Sequence, residues 1–190
     1  MTAGLILAAG ESRRMGSPKA LLHYRDATFL DTLAGLFGRH CSPVIVVLGA
    51  EADEVRSRTA SPMAFVLNSD YRRGQTSSMQ CGLRAVPPDA DGVLFTLVDH
   101  PAVTAATVEA LVAAPLPLLR VPRYRGKRGH PIWFSRRLIP EFLELPEQGA
   151  ARDVVHRHAS RTEFLDLDDP GVVADIDDPD AYRTLTGAEL

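Results

Sequence analysis

Near its amino terminus the chain runs Leu5-Ile6-Leu7-Ala8-Ala9 and then breaks at Gly10 into Glu11-Ser12-Arg13-Arg14-Met15-Gly16-Ser17-Pro18-Lys19. A short apolar run bounded by glycine reads as a buried strand. Beyond it lies a polar, solvent-facing loop in which Gly10 and Gly16 permit tight backbone geometry and close approach of a ligand. Free backbone N–H groups in such a loop point at anions. Arg13, Arg14 and Lys19 add positive charge just past the strand's carboxyl end, where open α/β sheets take their ligands. Those properties together suit a polyphosphate.

Two commoner phosphate motifs do not fit. A Walker A loop has four residues between its first glycine and Gly-Lys-Ser/Thr. Here five residues separate Gly10 from Gly16, and Ala20 follows Lys19. The dinucleotide pattern G-x-G-x-x-G is also absent.

The rest of the chain alternates strand and helix patterns, which implies an α/β domain. Thr28 and Asp31 open a helix whose Phe29, Leu30, Leu33, Leu36 and Phe37 share one face. Val44 to Leu48 is a β-branched run suited to a central parallel strand. Next come a helix from about Glu51, a strand over 65–68 and a strand over 93–98. Between the last two lies Gly74-Gln75-Thr76-Ser77-Ser78, where Thr76 or Ser77 is suited to cap a helix that Pro87 and Pro88 close. Asp99 leaves the 93–98 strand at its carboxyl end, a placement suited to a hard cation. Thr104 is free to cap the next helix, so Asp99 is not needed for that.

After residue 114 the composition changes. A strand is expected over 116–121, then a basic loop from Arg123 to Pro131 with Lys127, Arg128, Gly129 and His130, then a strand at Ile132-Trp133-Phe134. A helix is expected near 138–143. His156 and His158 read as a surface helix, because no further ligands stand at zinc spacing. Near the end, Asp178-Pro179 opens a helix, and Asp175 and Asp177 alternate on a short extended piece. Two aspartates facing one way repel unless a cation or protons lie between them.

A length of 190 residues suits one domain, and 45% hydrophobic and 24% charged residues are ordinary for a globular protein. A net charge of −3 provides no bulk basic field for nucleic acid. Cys41 and Cys81 form no C-x-x-C pair, and no apolar run reaches membrane-spanning length. The expected setting is cytoplasmic, with no nucleic-acid or membrane partner.

The loop Leu7-Ala8-Ala9-Gly10-x-Ser12-x-Arg14-Met15-Gly16-x-x-Lys19 resembles the signature of the nucleotidyltransferases with a GT-A-like, Rossmann-type fold, and within them the molybdenum cofactor cytidylyltransferase group. The resemblance runs from Leu5 to Tyr182. It implies one three-layer α/β domain with a mostly parallel sheet over 1–190, its nucleotide-binding part about 1–113 and its acceptor-binding part about 114–190. It implies magnesium-dependent transfer of CMP from CTP to a molybdopterin-type acceptor, with pyrophosphate released. Arg14, Lys19 and Asp99 would be catalytic. Leu7, Ala8, Ala9, Gly10, Arg14, Lys19, Gln75, Thr76, Ser77 and Ser78 would hold the nucleotide. Asp99 and Asp177 would hold Mg2+, and Lys127, Arg128, Gly129, His130 and Arg152 the acceptor. Use of GTP, a sugar or polyol phosphate acceptor, or a non-catalytic role as cofactor chaperone are the alternatives. A molybdoenzyme or its maturation chaperone is the implied protein partner.

Overall fold

In the computed structural model, which describes residues 1–187, strand β1 (Thr2–Ala8) is buried along its whole length. Its side chains alternate between two cores: Ile6 and Ala8 face one, Leu5 and Leu7 the other. A strand buried on both faces must lie inside a sheet, and β1 does. Strand β4 (Val44–Leu48) pairs with it in parallel on one side, and β6 (Gly92–Leu97) in parallel on the other. Two short strands, β2 (His23–Tyr24) and β3 (Ala27–Thr28), form a hairpin outside this sheet.

Beyond β4 comes β5 (Ala64–Leu67), also parallel. Beyond β6 comes β9 (Ile132–Ser135), antiparallel to β6 and to β7 (Leu119–Tyr124). Strand β10 (Thr162–Asp166) closes that edge in parallel with β7. Strand β8 (Lys127–Arg128) folds back on β7. The order across the sheet is β10-β7-β9-β6-β1-β4-β5. The chain runs outward from β1 through β4 and β5, then returns to β6 on the other side. This reversal creates a crevice at the carboxyl ends of β1 and β6.

Helices cover both faces, as the expected three-layer class requires. On the Ile6 face lie α1 (Phe29–Phe37), α2 (Ala52–Arg58), α4 (Ala105–Val112) and α7 (Pro179–Thr186). On the Leu5 face lie α3 (Gln75–Arg84), α5 (Ile139–Leu143) and α6 (Ala151–Arg157). Thr28 caps α1 by accepting from the Asp31 N–H at 3.0 Å, and Asp178 caps α7 from the Ala181 N–H at 2.8 Å. Among the described residues, no helix is long and apolar enough to cross a membrane.

Three expectations are corrected. The strand expected over 116–121 lies at Leu119–Tyr124, because its register is set by pairing with β10, a strand that the sequence pattern does not announce. The basic loop is largely a β-hairpin: Arg123 and Tyr124 end β7, Lys127 and Arg128 form β8, and Arg125 and Gly126 turn between them with φ of 48° and 79°. Two successive positive φ values are the geometry that suits the twist of a two-residue hairpin. Finally, neither Thr76 nor Ser77 caps α3; Gly74 occupies that position.

Candidate active site

The crevice at the sheet's reversal is a cleft of ≈ 610 Å³. Leu7, Ala8, Ala9, Gly10, Arg14, Lys19, Gln75, Ser78, Asp99 and Asp177 all line it. The parallel pairing of β1 with β6 explains why Gly10 and Asp99 meet. Leu7 stands opposite Leu97, and the Val98 N–H donates to the Leu7 carbonyl at 3.0 Å, so both chains leave the sheet together.

The loop after β1 is held by its own side chains. The Lys19 N–H donates to Ser12 Oγ at 2.9 Å, folding the loop back on itself. Its left-handed residues are Ser12 (φ 48°) and Gly16 (φ 70°) rather than Gly10. The expected solvent-facing lysine is corrected: the Lys19 side chain is only 14% exposed. Its ammonium donates to Asp177 Oδ1 and lies 3.6 Å from Asp99 Oδ2. Arg14 is more open and reaches Asp177 Oδ2 at 3.5 Å.

Asp177 arrives from the far end of the sequence, and the route is specific. The 3-10 turn at Pro170–Val173 crosses two backbone positions that admit no side chain. A Cβ on Gly129 would lie 1.8 Å from the Val172 carbonyl oxygen, and one on Gly171 would lie 2.4 Å from the Ala102 oxygen. Across these approaches His130 N–H donates to Val172 O at 2.8 Å and Ile176 N–H to Asp99 O at 2.9 Å. Ile176 is buried, which turns its neighbours outward, and Asp177 meets Lys19. Buried Asp169 anchors the start of the turn by accepting from Thr104 N–H, Thr104 Oγ1, Thr107 Oγ1 and Gly171 N–H at 2.5–2.9 Å.

The two carboxylates differ in character. Burial raises the Asp99 carboxyl above its ordinary value, against the opposing pull of Lys19. The hydrogen bond from Lys19 lowers that of Asp177. Asp99 Oδ1 is buried and has no hydrogen-bond partner among the described residues. Next to it His100 is buried, with Nε2 3.8 Å from that oxygen. The His100 ring lies 5.0 Å from that of His130, which also meets the edge of Phe95 at 5.6 Å. Burial, reinforced by His100, holds the His130 imidazole down to about 4.

Thr76 and Ser77 are not brought to the cleft. The Thr76 hydroxyl donates to the Gly149 carbonyl, tying α3 to the segment before α6. Ser77 Oγ donates to Gly74 O at 2.8 Å. Buried Asn68, which no motif in the sequence marks, donates to both Ser77 Oγ and Ser78 Oγ at 3.0 Å. Arg13, expected at this strand exit for its charge, lines the cleft too, and Glu11 and Arg72 join it unanticipated, with Arg72 Nε 3.2 Å from Glu11 Oε1.

A second, smaller cavity of ≈ 170 Å³ lies beyond His130. Arg128, Gly129, His130 and Arg152 line it, over an apolar floor of Val121, Ile132 and Val155. Lys127 does not reach it and stands exposed on the hairpin, since alternate residues of a strand face opposite ways. His156 is exposed, as expected on a surface helix, and it also borders this cavity four residues after Arg152 on α6. The missed signal was that spacing, which puts both side chains on one face. His158 instead contacts Glu141 Oε1 at 2.7 Å.

Comparison with known proteins agrees with this architecture. Residues 4–162 match the MobA-like NTP transferase domain. The chain is 32% identical to nicotine blue oxidoreductase of Paenarthrobacter nicotinovorans, covering 96% of this chain and 95% of that one. It is 28% identical to molybdenum cofactor cytidylyltransferase of Escherichia coli, covering 95% and 93%. A Mycobacterium tuberculosis crystal structure superposes with a TM-score of 0.87 at 32% identity over 98% of both chains, and the same protein in complex with manganese superposes at 0.83. The sheet order, the cleft at its reversal and the extent of these matches lead to one assignment: the chain belongs to the MobA-like NTP transferase family.

Proposed function

We propose that the protein transfers CMP from CTP to the terminal phosphate of a molybdopterin-type acceptor and releases pyrophosphate. The observation that carries this reading is the meeting of Lys19, Asp99 and Asp177 beside Gly10, at the reversal point of the sheet. The name of the Escherichia coli relative supports the choice of base and acceptor.

In this reading the backbone from Ala8 to Gly10 and the side chains of Gln75 and Ser78 hold the base and ribose. Arg14 and Lys19 bind the triphosphate and stabilise the charge that collects on the departing pyrophosphate. Chemistry of this kind is mostly positioning and charge stabilisation. The attacking phosphate oxygen is already an anion, so no residue is required as a strong base. Arg128 and Arg152 set the acceptor's charged groups over the apolar floor of the second cavity, which His130 also lines.

The donor set fits a hard divalent cation. Asp99 Oδ1 is an enclosed oxygen without a hydrogen-bond partner among the described residues, and Asp177 offers a second carboxylate. The manganese complex of the Mycobacterium tuberculosis relative supports a divalent ion of this kind. Magnesium held there would neutralise charge on the nucleotide's phosphate oxygens.

Pyrophosphate release from CTP, magnesium and molybdopterin tests the proposal, with GTP and sugar or polyol phosphates as competing substrates. Release with GTP alone would replace the cytidylyl reading, and release with a sugar or polyol phosphate would replace the acceptor. Cofactor binding without release would mark a chaperone. The name of the Paenarthrobacter relative supports a second reading, oxidoreduction. Hydride transfer from a reduced nicotinamide dinucleotide to an added quinonoid dye, catalysed by the protein with no nucleotide product, would favour it.

A further inference from the structure

The ammonium of Lys19 is placed where a cation between Asp99 and Asp177 would be expected. It donates to one carboxylate, lies 3.6 Å from the other, and is largely withdrawn from solvent. Its position is set from the backbone outward, since the Lys19 N–H is held by Ser12 Oγ at 2.9 Å. Pro18 and the 3-10 turn at Lys19–Leu21 fix the direction in which the side chain leaves. On the carboxylate side, the Asp99 backbone is pinned by Ile176 and the Asp177 backbone by the α7 cap next to it. Three groups from distant parts of the chain therefore meet with little freedom.

Arg14 does not share this position. It is mostly exposed and reaches only the outer oxygen of Asp177. The close contact belongs to Lys19, and a single ammonium charge cannot neutralise two carboxylates and a triphosphate at once. Its three N–H donors and one charge are divided among whichever anions are nearest. While Lys19 holds Asp177, a carboxylate lone pair is engaged, and a positive charge stands within a few ångströms of both acceptors. A second cation brought there meets Coulomb repulsion in a site partly shielded from water.

We infer that Lys19 is the resident counter-ion of the Asp99–Asp177 pair, and that nucleotide binding, by drawing Lys19 onto phosphate, is what opens this pair to a divalent cation. This rests on the metal and triphosphate roles proposed above. It adds a coupling between them: the protein alone binds the cation weakly, and nucleotide and cation each raise the other's affinity by the same factor. It also gives Lys19 opposite effects on the two ligands. Loss of its charge weakens nucleotide binding and strengthens metal binding.

The test is a titration of Mn2+ into nucleotide-free protein, read from the electron paramagnetic resonance signal of the free ion. Lys19→Met is expected to bind Mn2+ about tenfold more tightly than the parent, within the usual range of such couplings. Lys19→Gln, which keeps a polar end without the charge, is expected to show the same gain and carries the test if the Met variant folds poorly. Adding Asp99→Asn to either variant should abolish the gain, placing it at this pair. CTP should tighten Mn2+ binding by the parent and have much less effect on the Lys19 variants. Equal or weaker Mn2+ binding by both Lys19 variants overturns the inference, as does a gain that survives Asp99→Asn. Pyrophosphate release by the parent reports separately on the transferase reading, so an active parent with metal-indifferent Lys19 variants would remove the counter-ion role alone.

Discussion

Lys19 Nζ stands 3.6 Å from Asp99 Oδ2, although the two residues leave different strands and are separated by most of the first half of the chain. The pairing of β1 with β6 brings their backbones to one edge, and the Ser12 bond aims the lysine inward. This contact changes what Lys19→Ala should do. On a solvent-facing loop the substitution would leave stability untouched. Here it leaves a mostly buried Asp99 without its nearest cation. The expected cost lies between that of a surface and a buried pair, about 2 kcal/mol. Thermal unfolding should show a melting temperature roughly 4–8 °C lower, together with a large loss of transfer. An unchanged melting temperature would mean that the contact contributes nothing to folding.

The two carboxylates should respond with opposite signs. Folding raises the Asp99 carboxyl, so its charged form is disfavoured. That penalty develops as pH rises from its unfolded value of 3.8 through its folded one. Asp99→Asn removes the penalty and should leave the protein at pH 7 no less stable than the parent. Folding lowers the Asp177 carboxyl, so its charge stabilises above the unfolded value and that contribution is lost as pH falls through the folded one. Asp177→Asn should therefore be less stable at pH 7 and converge with the parent in acid. Urea titrations at pH 7 and pH 3 separate the two. In nucleotide binding with magnesium, both variants should lose affinity, and the double variant should lose little more, because both residues act through one ion.

Asp169 makes no contact with the cleft, yet its loss should reach it. Asp169→Ala strips an acceptor from Thr104, Thr107 and Gly171 at a buried position. The expected destabilisation is about 3 kcal/mol. Because the same turn carries Asp177 to Lys19, metal-dependent nucleotide affinity should fall even where the protein remains folded. A variant that is destabilised but binds nucleotide and metal normally would show that the turn is not what delivers Asp177.

Acid should weaken the fold through His130. Its imidazole is held down to about 4, against 6.5 when exposed. Above pH 6.5 it is neutral in both states and contributes no pH dependence. Between 6.5 and 4 the unfolded chain takes up a proton that the folded one refuses, so stability falls by up to about 3 kcal/mol. Denaturant unfolding of the parent and of His130→Leu across pH 4–7 measures the difference. The Leu variant should lack this part of the slope, and parallel curves would refute it.

His156 and Arg152 share one face of α6 toward the second cavity. His156→Ala should raise the KM for the acceptor severalfold and leave that for the nucleotide unchanged, since the residue lies outside the first cleft. Initial rates with each substrate varied in turn provide the check. A change confined to the nucleotide would place the acceptor elsewhere.

Local elements and the character of the cleft's floor are legible in the order of residues alone. The apolar run before Gly10, the β-branched run at 44–48 and the caps at Thr28 and Asp178 each need only near neighbours to act, and each stands where the pattern places it. Asp99 and the loop from Gly10 to Lys19 are legible for the same reason: a residue at the carboxyl end of a parallel strand has its destination set by the strand. Contacts between distant segments are not legible. Strand β10 exists through its pairing with β7, not through any strong pattern of its own. Thr76 carries the hydroxyl of a helix cap but donates it to Gly149, seventy-three residues away. His156 stays exposed on α6, and only the folded chain shows that it borders the second cavity. Above all, it took the folded chain to show that the cation between the aspartates is a lysine. Electrostatic energy depends on distance through space, and sequence separation does not report it.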